Sequence, residues 1–288
     1  MNLAVGFFDG VHLGHRRILE RADAALTFRE HPLSVLAPDK APALLMTLEE
    51  RMAAIASALC KPLRQVKALP FTRELAAEKP DVFAARLHRD YPDLETVLCG
   101  PNWRFGAGGL GDAGFLRSRG FSVEEVPFEE LGGEPVSSTR IRAALSAGDI
   151  ELANAMLGRR FSVCGEVASG KGEGRRMGFP TINLRPSNRD TARLLPFGAY
   201  AVDTDLGRGV ANWGRAPTMG GRAWAEPVFE VHVISPARGL APSDVPSPFK
   251  FTLVRHLRPE MRFASCDALR EQIAADVFSA SHCPSNVL

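Results

Sequence analysis

The sequence lacks the marks of a membrane-spanning or exported protein. No stretch among its 288 residues approaches the roughly 18 consecutive apolar residues that a transmembrane helix needs. No Lys or Arg precedes the short apolar run at the N-terminus, and Asp9 interrupts that run, which is unlike a signal peptide. We therefore expect a cytoplasmic protein that has no membrane partner.

Cysteine is scarce and has no recognisable pattern. The five cysteines are odd in number and form neither a C-x-x-C pair nor a zinc-ligand spacing; they are Cys60, Cys99, Cys164, Cys266 and Cys283. We interpret all five as reduced thiols, which agrees with a cytoplasmic location.

A strong charge of either sign is also missing. The formal net charge is only +2 and the pI is near 8.3, so the chain lacks the basic field of a dedicated nucleic-acid-binding protein. Basic residues concentrate at Arg140 with Arg142 and at Arg175 with Arg176, inside serine or glycine runs. Such spots suit small phosphorylated ligands, and we expect no nucleic-acid partner.

The first half of the chain alternates strand and helix patterns. An apolar run over 3–8 precedes a helical pattern over 11–20, and a second helical pattern covers 48–59. Buried strands are predicted at 97–99 and 121–126. Strands separated by helices indicate a parallel sheet with helices on both faces, hence an α/β domain.

The second half consists of short strands broken by Gly, Pro and Asn. The predicted strands cover 163–167, 199–203, 209–212, 229–234 and 250–254, which indicates a barrel or a sandwich. A final helix over 266–280 places Leu269, Ile273, Ala274 and Val277 on one face, and Ser265 or Asp267 can cap it. A helix, a turn at 148–149 and another helix over 139–157 join the halves. We predict domains at 1–157 and 158–288.

The segment from Gly6 to His15 places two imidazoles between a strand and a helix. Backbone N–H groups at a helix start favour anions, and Gly6 and Gly14 let a phosphate approach the backbone. His12 and His15 could donate hydrogen bonds to a triphosphate. Two alternatives stay open on the residues alone: the histidines only line a turn, or together with Asp9 they bind a metal.

The pattern G-x-F-D-G-x-H-x-G-H resembles the H-x-G-H signature of Rossmann-like nucleotidyltransferases, in the form found in the FAD synthetase half of bacterial riboflavin kinase/FAD synthetases. Residues 27–28 with 31–32, then 100–106, then 137–142 match that family in the same order. The resemblance implies adenylyl transfer at His12 and His15 and flavin binding at Asn102. It assigns ATP binding to Gly6, Phe8, Asp9, Gly14, Ser137, Ser138, Thr139, Arg140 and Arg142.

One region departs from the family pattern. Only residues 16–26 separate His15 from Thr27, where family members carry a longer helix and a full second strand. A crossover between parallel strands normally needs at least a dozen residues. Arg29-Glu30 also replaces an acidic residue followed by proline. We therefore expect an altered first crossover.

A glycine-rich loop covers residues 170–183. Gly165-x-x-x-x-Gly170-Lys171 comes close to a Walker A loop, but Gly172 stands where Ser or Thr is required. Further glycines and Pro180 would also break the helix that must follow. Thr181 and Asn183, two apart in an extended segment, point to one face and offer oxygen donors suited to magnesium. The alternative is a structural glycine turn beside a strand.

The pattern G-x-x-x-G-R-x-x-G-x-P-T-x-N closely resembles the riboflavin kinase signature, and segments 212–218, 230–232 and 257–263 match that family downstream. The resemblance implies a small antiparallel β-barrel with a terminal helix. It makes Glu230 the general base, Thr181 and Asn183 the magnesium ligands with ATP, and Asn212 and Arg258 flavin-binding residues. It assigns ATP binding to Gly170, Lys171, Gly174, Arg175, Gly178 and Pro180.

The sequence as a whole predicts a bifunctional transferase. Riboflavin and ATP would give FMN, and FMN and ATP would then give FAD and pyrophosphate, with magnesium accompanying ATP. Two alternatives remain: a riboflavin kinase with a degenerate nucleotidyltransferase domain, and a non-catalytic flavin-binding regulator.

Overall fold

The computed structural model describes residues 1–169, 173–215, 226–234 and 245–284. The chain divides into two compact units, Met1–Ser138 and Thr139–Leu288. Across the described residues, no helix combines the length and the hydrophobicity that crossing a membrane requires.

The first unit is built on a parallel sheet. Its strands are β1 (Asn2–Val5), β2 (Ala24–Phe28), β3 (Val66–Leu69), β4 (Thr96–Cys99) and β5 (Ser122–Glu125). They lie in the order β3-β2-β1-β4-β5, and each neighbouring pair is parallel. This confirms the α/β, Rossmann-like architecture. A small hairpin, β6 (Glu130–Leu131) and β7 (Glu134–Pro135), lies outside the sheet.

Helices cover both faces of this sheet. The covering helices are α1 (Leu13–Leu19), α3 (Leu48–Leu59), α5 (Pro80–Asp90) and α6 (Ala113–Ser118), whereas the short helices α2 (Pro32–Leu36) and α4 (Arg73–Ala77) bury no residue. Because successive strand residues point to opposite faces, Ala4 packs in the core with α1 and α3 while Leu3 packs in the core with α5 and α6. The predicted bounds of α3 agree with the structure, and a Thr47–Glu50 capping box explains its start.

The first crossover is complete despite the short interval between His15 and Thr27. It runs from Gly6 to Asp23 and contains α1, and β2 is a five-residue strand paired with both β1 and β3. The expectation of an altered crossover is therefore wrong for the strand, which is complete, while α1 spans only seven residues. Counting from His15 ignored the loop before α1, and β2 begins three residues before Thr27.

The second unit begins with two helices and continues into a barrel. Helices α7 (Ser138–Ser146) and α8 (Ile150–Leu157) confirm the predicted helix-turn-helix. The barrel strands are β8 (Ser162–Ala168), β9 (Ile182–Pro186), β10 (Gly198–Thr204), β11 (Gly207–Gly214), β12 (Val228–Val233) and β13 (Phe249–Pro259). They close in the antiparallel order β10-β11-β12-β9-β8-β13. Because the strands close into a ring, the second unit is a barrel and not a sandwich. Strand β9 begins at Ile182, at the end of the segment predicted to be a loop.

The barrel has an aromatic interior and a helix on its outside. Trp213, Phe229 and Phe251 are fully buried, and Trp213 stacks on Phe229 with ring centroids 4.2 Å apart. Two short helices, α9 (Glu173–Arg176) and α10 (Thr191–Leu194), lie in the loops around β9. On the outer face, Ala199 and Val210 pack in one cluster with Ala280 of the terminal helix α11 (Cys266–Ser281).

Helix α11 confirms part of its predicted pattern. Ser265 is the N-cap, and its hydroxyl accepts the Ala268 N–H at 3.1 Å. Val277 packs against the barrel, but Ala274 is exposed and Asp276 is buried instead. The Ala274 assignment is therefore wrong. An aspartate can occupy the inward face because Arg258 of β13 pairs with it inside that interface.

Candidate active sites

The first candidate site lies at the carboxyl ends of β1 and β4. The strand order of the sheet reverses between these two strands, and open parallel sheets bind ligands in the crevice at such a point. The Gly6–His15 segment follows β1, and the Gly100–Gly106 segment follows β4. The topology thus brings two of the recognised motifs to one edge of the sheet.

The backbone of the Gly6–His15 segment is strained and firmly held. Phe8 and Val11 have φ angles of 56° and 40°, in the left-handed region that residues with side chains rarely adopt. The Asp9 carbonyl accepts the Ser138 hydroxyl at 2.8 Å, and both Asp9 carboxylate oxygens lie 3.1 Å from the Leu45 backbone N–H. Strain of this kind persists only where surrounding contacts hold it, and it concentrates at functional sites.

The two histidines form a stacked pair at the start of α1. His12 is the N-cap, its Nδ1 accepts the His15 backbone N–H at 3.4 Å, and the ring centroids lie 3.6 Å apart. A neutral imidazole that accepts through Nδ1 carries its proton on Nε2, which makes Nε2 of His12 a donor. A Cβ at position 14 would lie 3.3 Å from His12 Cε1, so Gly14 leaves room for this ring.

The metal alternative for this segment gains no support. The Asp9 carboxylate is oriented by the Leu45 N–H and lies in a buried position. Within the ranges that the structure describes, no group of three His, Cys, Asp or Glu side chains is arranged to hold a metal ion.

Other residues assigned to the first site occupy different positions. Ser138, which bonds to Asp9, opens α7, directly after Ser137. Thr139, Arg140 and Arg142 lie on α7 and belong to the second unit. Asn102 is exposed in the turn after β4, next to Trp103, which stacks on Phe105 with centroids 4.7 Å apart. The ATP and flavin roles of these residues stay predictions.

The second candidate site is a polar row on the outer face of the barrel. Glu230 on β12 lies directly opposite Asn183 on β9 and directly opposite Asn212 on β11. Residues paired in this way point to the same face of a sheet, with Cβ atoms about 5 Å apart. Ala199 lies opposite Asn212 and packs in the cluster with α11, so the row lies on the face that carries this helix.

The glycine-rich loop folds back against this row. His232, two residues after Glu230, places Nδ1 2.9 Å from the Pro180 carbonyl oxygen, and its ring meets the Phe179 ring edge-on at 5.4 Å. A Cβ on Gly174 would lie 2.4 Å from the Phe179 carbonyl oxygen and 3.2 Å from Thr181 Oγ1. Only glycine allows this approach, which brings the turn of α9 next to Thr181.

The remaining loop positions fit a loop and not a Walker A site. Helix α9 spans four residues, and Gly178 has a φ of 88°, in the left-handed region. Arg175 is exposed on α9. Gly170 and Lys171, both predicted to bind ATP, lie outside the described residues.

The guanidinium of Arg258 is hydrogen-bonded to groups within the protein. Its Nε lies 3.0 Å from Asp276 Oδ1, its Nη2 lies 2.8 Å from Asp276 Oδ2, and its Nη1 donates to the Pro259 carbonyl at 3.1 Å. Gln272 donates to the same carboxylate at 2.9 Å. These contacts fasten α11 to β13, so any flavin contact by Arg258 would compete with them. Its flavin role stays a prediction.

Sequence reasoning missed Arg51, which is fully buried beside the first site. Ile55 and Leu59 lie on the same face of α3 as Arg51. The sequence therefore contained a signal for its burial, because a charged residue stands where the helical period calls for an apolar one.

The two halves of the chain match two different family models. The FAD synthetase family model matches residues 1–140, and the riboflavin kinase family model matches residues 157–283. Three curated relatives are bifunctional riboflavin kinase/FMN adenylyltransferases. The protein from Pseudomonas fluorescens is 36% identical, covering 96% of this chain and 90% of the relative. The protein from Escherichia coli K12 is 34% identical, covering 96% of this chain and 91% of the relative. The protein from Bacillus subtilis 168 is 30% identical, covering 99% of this chain and 93% of the relative.

A solved structure shares the fold. The crystal structure of a macrolide-efflux protein from Streptococcus pneumoniae aligns with a TM-score of 0.81, covering 98% of this chain and 93% of that one. Its sequence identity is 24%, so the likeness supports the architecture alone.

Proposed function

The chain belongs to the family of bifunctional riboflavin kinase/FMN adenylyltransferases, and we propose that it divides the two reactions between the sites described above. It is a transferase that phosphorylates riboflavin to FMN with ATP and adenylylates FMN to FAD with release of pyrophosphate. ATP, riboflavin and FMN are its substrates. A match to both family models favours this function over a kinase with a degenerate partner domain and over a non-catalytic regulator.

The barrel row carries the proposal for phosphoryl transfer. Glu230, between Asn183 and Asn212, accepts the proton of the ribityl 5'-hydroxyl while that oxygen attacks the γ-phosphorus of ATP and ADP leaves. Asn212, paired with Glu230 on the neighbouring strand, is the proposed flavin-binding residue. Reaction at this site depends mainly on positioning and charge neutralisation, because phosphoryl transfer demands little covalent help from the protein.

The residues next to Glu230 suit a magnesium ion bound with ATP. Thr181 and Asn183 offer a hydroxyl and an amide oxygen, and Mg²⁺ in nucleotide sites typically takes few protein ligands together with phosphate oxygens. Asn183 is 9% exposed, so its amide is largely held by its surroundings. When bound, the ion would neutralise charge on the transferred phosphoryl group.

Adenylyl transfer is assigned to the Gly6–His15 segment. A phosphate oxygen of FMN attacks the α-phosphorus of ATP, and pyrophosphate leaves. Nε2–H of His12 and the adjacent imidazole of His15 donate to phosphate oxygens and stabilise the charge that develops. The strained backbone, held by Ser138 and Leu45, fixes the orientation of these donors.

Replacing the proposed magnesium ligand tests the barrel site. We expect Asn183→Ala to raise the Mg²⁺ concentration for half-maximal FMN formation by about 10-fold or more, because one ligand oxygen is lost. The Mg²⁺ dependence of FAD formation, measured on the same protein, should stay unchanged. An identical shift in both titrations, or none in FMN formation, would contradict the assignment of Asn183.

A second test uses the close approach at Gly174. A methyl group there would displace the Phe179 carbonyl and the neighbouring Thr181 hydroxyl. We expect Gly174→Ala to lower kcat for riboflavin phosphorylation by roughly 10- to 100-fold, because small displacements at a reacting centre have effects of that size. FAD formation from supplied FMN is the internal control. Unchanged kinase activity would show that the loop does not contribute to catalysis.

Two features of the wider organisation complete the proposal. We place the functional boundary between residues 157 and 158, ahead of β8. We also propose that the enzyme works in the cytoplasm, where thiols such as those of Cys60, Cys99 and Cys283 stay reduced.

A further inference from the structure

Arg51 is a fully buried cation at a position where the pattern of α3 calls for an apolar side chain. It has 0% exposure and shares the buried stripe of the helix with Ile55, Ala56 and Leu59. Burial lowers the pKa of its guanidinium, and the negative charges of Asp9, Glu30 and Glu49 oppose that effect. A buried cation is costly, so its retention calls for specific contacts.

The contacts of Arg51 join two segments of the first site. Its Nη2 donates to the carbonyl of Phe28 and, at 3.1 Å, to that of Arg29, both at the carboxyl end of β2. Its Cζ lies 3.9 Å from the centroid of the Phe7 ring. The guanidinium therefore clamps the start of the Gly6–His15 segment to the segment that follows β2.

Phe7 is held from several sides around this cation. The His31 ring meets the Phe7 ring edge-on, with centroids 4.8 Å apart. The Phe7 carbonyl accepts the Thr27 hydroxyl at 3.0 Å. His31 itself caps α2 by accepting the Leu33 N–H at 3.2 Å. Displacing Phe7 would shift Phe8 and Asp9, the strained and anchored residues that precede His12 in the chain.

Arg51 also has unused hydrogen-bonding capacity. Its Nε and Nη1 atoms are buried and have no hydrogen-bond partner among the described residues. Such atoms are expensive in a side chain that serves stability alone, because an apolar residue of similar size would avoid the cost. The presence of a buried arginine here is better explained by the geometry that its contacts impose on the Gly6–His15 segment.

We infer that Arg51 is a positioning residue for adenylyl transfer, acting through the Phe7–Asp9 backbone on the orientation of His12 and His15. The inference rests on the proposed assignment of that reaction to the Gly6–His15 segment. Because Arg51 is buried beneath this segment, it acts without touching ATP or FMN.

The test uses Arg51→Met and Arg51→Lys in the full-length protein, with the exposed Arg64→Met as matched control. In Arg51→Met we expect kcat for FAD formation to fall about 100-fold, with KM for FMN changed less than about threefold, because alignment is lost and not flavin binding. Arg51→Lys should lose about 10-fold, since an ammonium keeps the charge without the planar fork. Riboflavin phosphorylation should remain at the parent rate in all three.

The outcomes separate positioning from folding and from the site assignment. A near-parental melting temperature in Arg51→Lys with reduced kcat supports the inference even if Arg51→Met fails to fold. Parental kcat in Arg51→Lys, or a loss that matches the unfolded fraction seen by circular dichroism, overturns it. If His12→Asn leaves FAD formation intact, the site assignment itself fails; if only the Arg51 variants leave it intact, the inference alone fails.

Discussion

Glu230→Gln is expected to lower kcat for riboflavin phosphorylation by about a thousandfold, because a positioned general base contributes roughly 10²- to 10⁴-fold. The amide keeps the size of the side chain and its place between Asn183 and Asn212, yet it cannot accept the proton of the attacking hydroxyl. The measurement is FMN formation from riboflavin, ATP and magnesium under saturating substrates. KM for riboflavin should change little, since the loss falls on the transition state.

Two controls make this result specific. Glu226→Gln changes an exposed carboxylate just before β12 and should leave both reactions at the parental rate. FAD formation from supplied FMN should be unaffected by Glu230→Gln, because that reaction is assigned to the other unit. Unchanged FMN formation in Glu230→Gln would remove Glu230 from the mechanism, whatever the fate of the magnesium ligands.

His12→Asn is expected to reduce FAD formation by about 10²- to 10³-fold, the range found when one donor to a developing negative charge is removed. Asparagine retains a side-chain oxygen that can cap α1, so helix stability should be largely preserved. What disappears is the imidazole, with its Nε2–H donor and its stack on His15. The assay follows pyrophosphate and FAD released from FMN and ATP.

The matched control is His88→Asn, an exposed histidine on α5. It should retain FAD formation, and both variants should retain riboflavin phosphorylation. FAD formation that survives in His12→Asn at the parental rate would contradict the assigned site. A parent protein that makes FMN but no FAD would instead favour the kinase with a degenerate nucleotidyltransferase domain.

Local sequence patterns predicted much of the architecture because their causes are local. Helix α3 follows from its capping box and apolar period, and Ser265 caps α11 through its own hydroxyl. Short strands bounded by Gly, Pro and Asn indicated the second unit. The sequence did not predict strand β9, because only Ile182 and Leu184 alternate with polar residues there, directly after a glycine-rich loop. This segment forms a strand through its pairing with β8 and β12.

The sequence supplied candidates for the two sites and not their arrangement. The family resemblance named His12, Asn183 and Glu230, and their roles stay predictions. Nothing local to Glu230 indicates that it lies opposite Asn183 and Asn212. Cross-strand register depends on the closure of the whole barrel, which joins segments distant in sequence.

The sequence by itself determined the family, the two classes of domain and the glycines at which the backbone must turn or approach closely. These features depend on residue type and short spacing. Only the tertiary structure decided that Asp276 and Arg51 are buried, and that the Gly6–His15 segment reaches the switch point of the sheet. A charged side chain enters a core only where distant partners receive it: Arg258 for Asp276, and the Phe28 and Arg29 carbonyls for Arg51. No local pattern encodes those partners.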